Sequence, residues 1–82
     1  MSSTNTTSKH FEVYSTGMCT YCKQAKRLIL EKGDTYVEYF IERDAESKAR
    51  MYEKFPDAKT VPQIFLGDTH IGGFKELVEH YQ

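Results

Sequence analysis

The chain has no tryptophan, two cysteines and two prolines among its 82 residues. Two cysteines cannot build the multi-bridge framework that holds small secreted domains together. Charge of one sign is also missing: 12 acidic residues face 11 basic ones, for a net charge of −1. Without a basic excess, no nucleic-acid partner is expected. No apolar run approaches the roughly 18 residues of a membrane-spanning helix, so no membrane partner is expected either. Residues 1–8 are polar, lack the apolar stretch of a signal peptide and read as a flexible tail. Within them Asn5-Thr6-Thr7 matches the glycosylation sequon, which in a chain with no secretion signal reads as chance. Residues 9–82 are left as one domain. A domain this short buries only about 60% of its unfolded surface, so its core is small.

Strand-like and helix-like segments alternate along the domain. Lys9–Ser15 reads as a strand, with apolar 11 and 13 alternating with polar 10 and 12. Cys22–Lys32 reads as a helix whose apolar stripe is Ala25, Leu28 and Ile29, stopped by Gly33. Thr35–Ile41, rich in β-branched and aromatic residues, reads as a second strand. Asp44 is placed to cap a helix over Ala45–Phe55, with Ala45, Ala49, Tyr52 and Phe55 inward, and Pro56 ends it. Val61–Leu66 and Thr69–Ile71 read as strands joined by a two-residue Gly67-Asp68 turn. After Gly72-Gly73, Phe74, Leu77, Val78 and Tyr81 recur at i, i+3, i+4 and i+7, the stripe of a last amphipathic helix. The order is β-α-β-α-β-β-α. Its first βαβ unit requires a parallel pair with a right-handed crossover, and the hairpin adds an antiparallel pair. An α/β fold with a mixed four-stranded sheet and three helices follows.

The chemistry sits where the first strand gives way to the first helix, at Cys19-Thr20-Tyr21-Cys22. A cysteine there lies over the positive end of a helix dipole. Such a position lowers a thiol pKa from about 8.5 into roughly the 3.5–7.5 range, leaving a thiolate near neutral pH. The second sulfur lies one turn on, within reach of a disulfide. An inert buried pair is the plain alternative, but it gives no reason for the strand–helix junction. A zinc site needs four ligands, and His10, His70 and His80 are scattered without ligand spacing. Lys23, just after the motif, adds positive charge near the thiolate.

Four features in order resemble the compact dithiol members of the glutaredoxin family: Cys19-Thr20-Tyr21-Cys22, Thr60-Val61-Pro62, Gly72-Gly73 and the terminal helix. The resemblance runs from about Lys9 to the end. It implies a minimal thioredoxin fold in which Pro62 is cis and faces the dithiol, with the Val61 backbone beside Cys19. It implies a glutathione-dependent thiol–disulfide oxidoreductase that reduces protein disulfides and glutathione mixed disulfides. Cys19 is then the nucleophile, Cys22 the resolving thiol and glutathione the reducing co-substrate, with no metal required. Implied glutathione contacts are Tyr21, Lys59, Thr60, Val61, Pro62, Gly73, Phe74 and Lys75. The Val61 backbone would pair with the ligand as an added strand, and N–H groups at the last helix would take the γ-glutamyl carboxylate. Implied partners are disulfide-containing or glutathionylated proteins, ribonucleotide reductase among them. A cytoplasmic monomer is expected.

The chain departs from the family pattern in three places. Thr16 stands where many relatives have lysine, with Lys59 or Gln63 as candidate substitutes. Lys75 and Glu76 stand where aspartates are usual, and Lys75 carries the wrong charge for the glutathione amino group. Thr20 replaces the commonest proline, restoring an N–H and adding a hydroxyl. Weaker or altered glutathione selectivity is expected. A small residue at Thr20 also leaves open a dimer bridged by a glutathione-ligated [2Fe–2S] cluster. A thioredoxin-like protein reduced by a flavoenzyme is disfavoured by the missing tryptophan.

Overall fold

The computed structural model describes residues 8–82, so the sequon and all but Ser8 of the expected tail lie outside the described residues. The elements follow the expected order: β1 (His10–Ser15), α1 (Thr20–Glu31), β2 (Thr35–Phe40), α2 (Ala45–Lys54), β3 (Gln63–Leu66), β4 (Thr69–Gly72) and α3 (Phe74–Tyr81). The sheet runs β2-β1-β3-β4. β1 pairs in parallel with β2 across α1, and antiparallel with β3, which turns back through Gly67-Asp68 into β4. Gly67 has φ +61°, the left-handed value a tight turn of this kind needs.

The sheet is covered on both faces, because side chains of a strand alternate between them. Phe11 and Val13 of β1 and Ile64 of β3 meet Ala25 and Ile29 of α1 and Leu77 of α3. Tyr14 of β1 and Phe65 of β3 point the other way, against Met51 of α2 and Ala58. The central strand is therefore buried on both sides from Val13 to Ser15, where polar–apolar alternation alone predicts one buried face. Ser15 is accommodated by donating to Glu38 Oε2 at 2.6 Å, and Glu38 in turn pairs with Lys26 of α1 at 2.8 Å.

Two helix expectations need correction. α1 starts at Thr20, not Cys22, because Cys19 itself serves as the N-cap (φ −117°, ψ 107°). α2 is rotated relative to the expected stripe: Ala45, Ala49 and Tyr52 are exposed, and Ser47 and Met51 are the buried positions, with Phe55 continuing their line. A buried serine was not anticipated from hydropathy. Its hydroxyl donates to the N-cap residue Asp44 at 2.7 Å, so it carries no unsatisfied group inward. Met51 fills the space above Tyr14 and Phe65, while Tyr52 keeps its phenol near water. β3 begins at Gln63, two residues later than expected, since Val61 and Pro62 form a cis-linked approach to the sheet.

The last helix is tied to the first turn by a buried carboxylate. After α1, Gly33 (φ +82°) reverses the chain and Asp34 enters the interior. Asp34 accepts from the Lys9 N–H at 2.8 Å and from the Tyr81 hydroxyl at 2.6 Å. Burial pushes its carboxyl up, but the hydrogen bonds from Tyr81 and Lys9, with the charges of Lys9 and His80, outweigh burial and hold it below the usual carboxylate range. A carboxyl lowered in the folded state stabilises the protein above its unfolded pKa of about 3.9, and the contribution is lost as pH falls through the lower folded value. Tyr81→Phe is therefore expected to cost about 1–3 kcal/mol near pH 7, a hydrogen bond to a charged group. Urea denaturation at pH 7 and pH 3 checks this: the difference between wild type and variant must shrink at pH 3.

Candidate functional site

β1 carries the chain to the site and α1 carries it away. Between them the loop Thr16-Gly17-Met18 is pinned by Glu42, whose Oε1 accepts the Gly17 N–H at 2.6 Å. A Cβ at Gly17 would sit 3.1 Å from that same oxygen, so the close approach suits glycine. Cys19 follows as the N-cap, its sulfur accepting the Cys22 N–H at 3.0 Å. The first sulfur thus receives the N–H and the dipole of α1, as expected from the sequence.

Cys19 and Cys22 are joined as a disulfide, with Cα atoms 5.2 Å apart. Their exposures differ: Cys22 is 1% exposed and Cys19 only half-buried. An incoming sulfur can reach Cys19 and not Cys22. Met18 stands out in solvent beside it at 96% exposure. Tyr21, 61% exposed, stacks on Phe74 at the start of α3 with ring centroids 6.0 Å apart.

Opposite the dithiol the Val61–Pro62 bond is cis, and the Val61 carbonyl oxygen lies 3.8 Å from the Cys19 sulfur. Among the described residues, the Val61 N–H has no hydrogen-bond partner. Lys59 and Thr60, both exposed, border a cleft of about 200 Å³ with Thr16, Tyr52 and Val61, and Met51 lies at its base. Lys59 makes no salt bridge among the described residues. The structure therefore brings the Cys19–Cys22 pair and the Val61–Pro62 segment together, while Tyr21 pairs with Phe74 and Thr16, Lys59, Thr60 and Val61 line one cleft.

Gln63 does not join that side. It is 5% exposed and turned inward, donating to the Thr60 carbonyl at 2.8 Å and meeting His70 Nε2 at 2.7 Å. It cannot substitute for a lysine at position 16. The α3 terminus also differs from expectation. Glu76 folds back and accepts the Gly73 N–H at 2.8 Å, which is one half of a capping box, since the glycine at the cap has no side chain to return the bond. That N–H, with Glu76's own, holds its carboxyl below the usual range. One donor expected for a ligand is thus already used, and Lys75 beside it is exposed. Gly72, at φ +121°, lets Glu76 fold back: a Cβ there would lie 2.8 Å from the Glu76 Cγ.

Glu42 bonds Gly17 in the loop before the dithiol and His70 bonds Gln63 next to Pro62, and sequence reasoning missed both contacts. Each acts on a residue at least seven positions away, and no local pattern marks either. Among the described residues, no three histidine, cysteine, aspartate or glutamate side chains gather as a metal site.

Comparison with known proteins agrees with this geometry. The glutaredoxin family pattern matches residues 11–71. A glutaredoxin of Pseudomonas aeruginosa is 38% identical over 65 residues, covering 79% of this chain and 76% of that protein. The crystal structure of glutaredoxin 1 from Francisella tularensis in complex with cacodylate superposes with a TM-score of 0.73 at 31% identity, covering 90% of this chain and 93% of that one. A buckwheat glutaredoxin–glutathione complex superposes with a TM-score of 0.73 at 27% identity, covering 87% of this chain and 66% of that one. With a Cys-x-x-Cys dithiol at the head of its first helix and a thioredoxin-like sheet behind it, the chain belongs to the glutaredoxin family of thiol–disulfide oxidoreductases.

Proposed function

We propose that this protein reduces glutathione mixed disulfides and protein disulfides, with glutathione as its electron donor. The observation that carries the reading is the open Val61 backbone beside Cys19. A main-chain N–H with no partner among the described residues, next to a carbonyl 3.8 Å from the reactive sulfur, offers an extended peptide a strand edge. Glutathione is a short peptide whose own sulfur would then sit at Cys19. The cleft at Thr16, Lys59 and Thr60 suits one end of such a ligand, with Lys59 supplying the charge that Thr16 lacks. Tyr21 and Phe74 wall the other end. The solved complex of the buckwheat relative with glutathione supports the same ligand here.

In the first step the Cys19 thiolate attacks the glutathione sulfur of a mixed disulfide. A Cys19–glutathione bond forms, the substrate disulfide breaks, and the substrate leaves as a thiolate that takes a proton from solvent. The Cys22 N–H and the α1 dipole stabilise the Cys19 thiolate before attack. In the second step a glutathione thiolate attacks the bound glutathione sulfur, releasing oxidised glutathione and returning Cys19. For a protein's own disulfide, Cys22 instead attacks the Cys19 mixed disulfide and closes the Cys19–Cys22 bond. Two glutathione molecules then reopen it, giving up two electrons and leaving as their disulfide. Glutathionylated proteins and reductive enzymes such as ribonucleotide reductase are the substrates proposed, and the cytoplasm, where thiols are kept reduced, is the proposed place of work. The protein acts as a monomer in this scheme.

NADPH consumption coupled to glutathione reductase tests the scheme. Cys19→Ser is expected to fall to background with every substrate. Cys22→Ser is expected to keep turnover of a glutathionylated peptide and to lose reduction of a protein disulfide. Activity in Cys19→Ser, or none in the wild type, would sink the reading. A second expectation concerns α3. Lys75 places a positive charge where the glutathione ammonium would lie, so Lys75→Asp should lower KM for the glutathionylated peptide about two- to fivefold. Repeating the assay at high salt must shrink that gain, since exposed charges are screened.

A further inference from the structure

His70 lies outside the cleft beside the dithiol and touches none of the residues proposed to react. Its surroundings are nonetheless specific. It sits on β4 opposite Phe65, and its ring is packed against Phe55 and Phe65 with centroid separations of 4.2 and 4.8 Å. Although exposed, it is held in place, and its Nε2 lies 2.7 Å from Oε1 of the buried Gln63. On its other side the Gln63 amide nitrogen donates to the Thr60 carbonyl at 2.8 Å, with Thr60 Oγ1 farther off at 3.5 Å.

The polarity of this chain is forced. The Thr60 carbonyl can only accept, so the Gln63 NH2 must face it. The Gln63 oxygen then faces His70, which must carry its proton on Nε2. Without a donor at His70 the buried Gln63 oxygen would be left unsatisfied, at a cost that favours side-chain conformers in which the amide leaves the Thr60 carbonyl.

The Thr60 carbonyl matters for what lies on the far side of its peptide bond. Val61–Pro62 is the cis bond of the chain's described part, so Thr60–Val61 is trans, and in a trans peptide the C=O and N–H point in opposite directions. Drawing the Thr60 carbonyl inward onto Gln63 turns the Val61 N–H the opposite way, and among the described residues that N–H has no protein partner. We infer that His70 is a positioning residue: through Gln63 it fixes the Thr60–Val61 peptide plane and so aims the Val61 N–H at the bound ligand. The ligand's identity as glutathione rests on the proposed function; the network itself does not.

His70→Phe is the variant of choice, since it keeps a ring between Phe55 and Phe65 and removes only the donor. With a glutathionylated peptide, KM is expected to rise about three- to tenfold, the usual worth of one hydrogen bond, with kcat within twofold of wild type and an unchanged melting temperature. Nitrogen-resolved NMR of the free oxidised protein gives a readout with no glutathione present. The Gln63 side-chain amide proton bonded to Thr60 should be protected from exchange in the wild type and lose that protection in His70→Phe. An unchanged KM ratio, or an unchanged Gln63 amide signal, overturns the inference. A wild type that fails to turn over the peptide removes the glutathione reading instead, and the NMR comparison then judges the network by itself.

Discussion

The antiparallel pairing of β1 with β3 decides where the site forms. Tyr14, near the end of β1, lies opposite Gln63 at the start of β3. The loop leaving β1 therefore emerges beside the segment entering β3. One brings Cys19, the other Val61 and Pro62, and the 3.8 Å between Cys19 sulfur and Val61 carbonyl is the consequence. Burial on both faces makes this register hard to change. A slip of one residue would carry Phe11, Val13 and Tyr14 to the wrong sides of the sheet. Two apolar clusters thus hold in place a contact between two groups that belong to neither.

The elements nearest the dithiol were legible because their signals are local. A cysteine pair between a strand pattern and a helix pattern, a Gly-Asp turn between two short strands and an i, i+3, i+4, i+7 stripe are each read from one continuous stretch of chain. The stripe of α2 was not legible. Hydropathy ranks Ala45, Ala49 and Tyr52 above Ser47, but the energy depends on whether the serine hydroxyl has a partner, and Asp44 supplies one. The same holds for Gln63. Beside Pro62 in sequence it reads as a polar residue free to meet a ligand, while in the fold His70 and Thr60 consume its amide. The meeting of Val61 with Cys19 came from resemblance alone, since no local pattern encodes a contact across 42 residues.

The two ends of the proposed ligand site differ in how committed their groups already are. At the Thr16 end Lys59 is exposed and without a salt bridge among the described residues, so its charge is available at small cost. At the α3 end the Glu76 carboxylate already accepts the Gly73 N–H. To meet a ligand ammonium it must leave its cap, which forfeits helix stabilisation of about 0.5–2 kcal/mol. To stay, it leaves Lys75 as the unbalanced charge at that end. Either way the proposed site would hold a zwitterionic γ-glutamyl group less well at its α3 end, while the charge of Lys59 stays available at the other end. Altered selectivity is what the proposed site would give through this asymmetry.

Backbone recognition can tolerate that asymmetry only if the backbone itself is rigid. Side-chain contacts at each end contribute on the order of 1 kcal/mol or less when exposed. The hydrogen bonds along the Val61 edge do not depend on which end groups the ligand carries. Their strength depends instead on direction, since hydrogen bonds weaken steeply once the donor angle falls toward 120°. Val61 lies outside any strand, so the sheet does not set that direction. The Gln63 amide, buried in the second apolar cluster's neighbourhood and fed by a histidine packed between two phenylalanines, is the group that does. The α2 side of the sheet, remote from the sulfur chemistry, thereby bears on how the peptide is presented to Cys19.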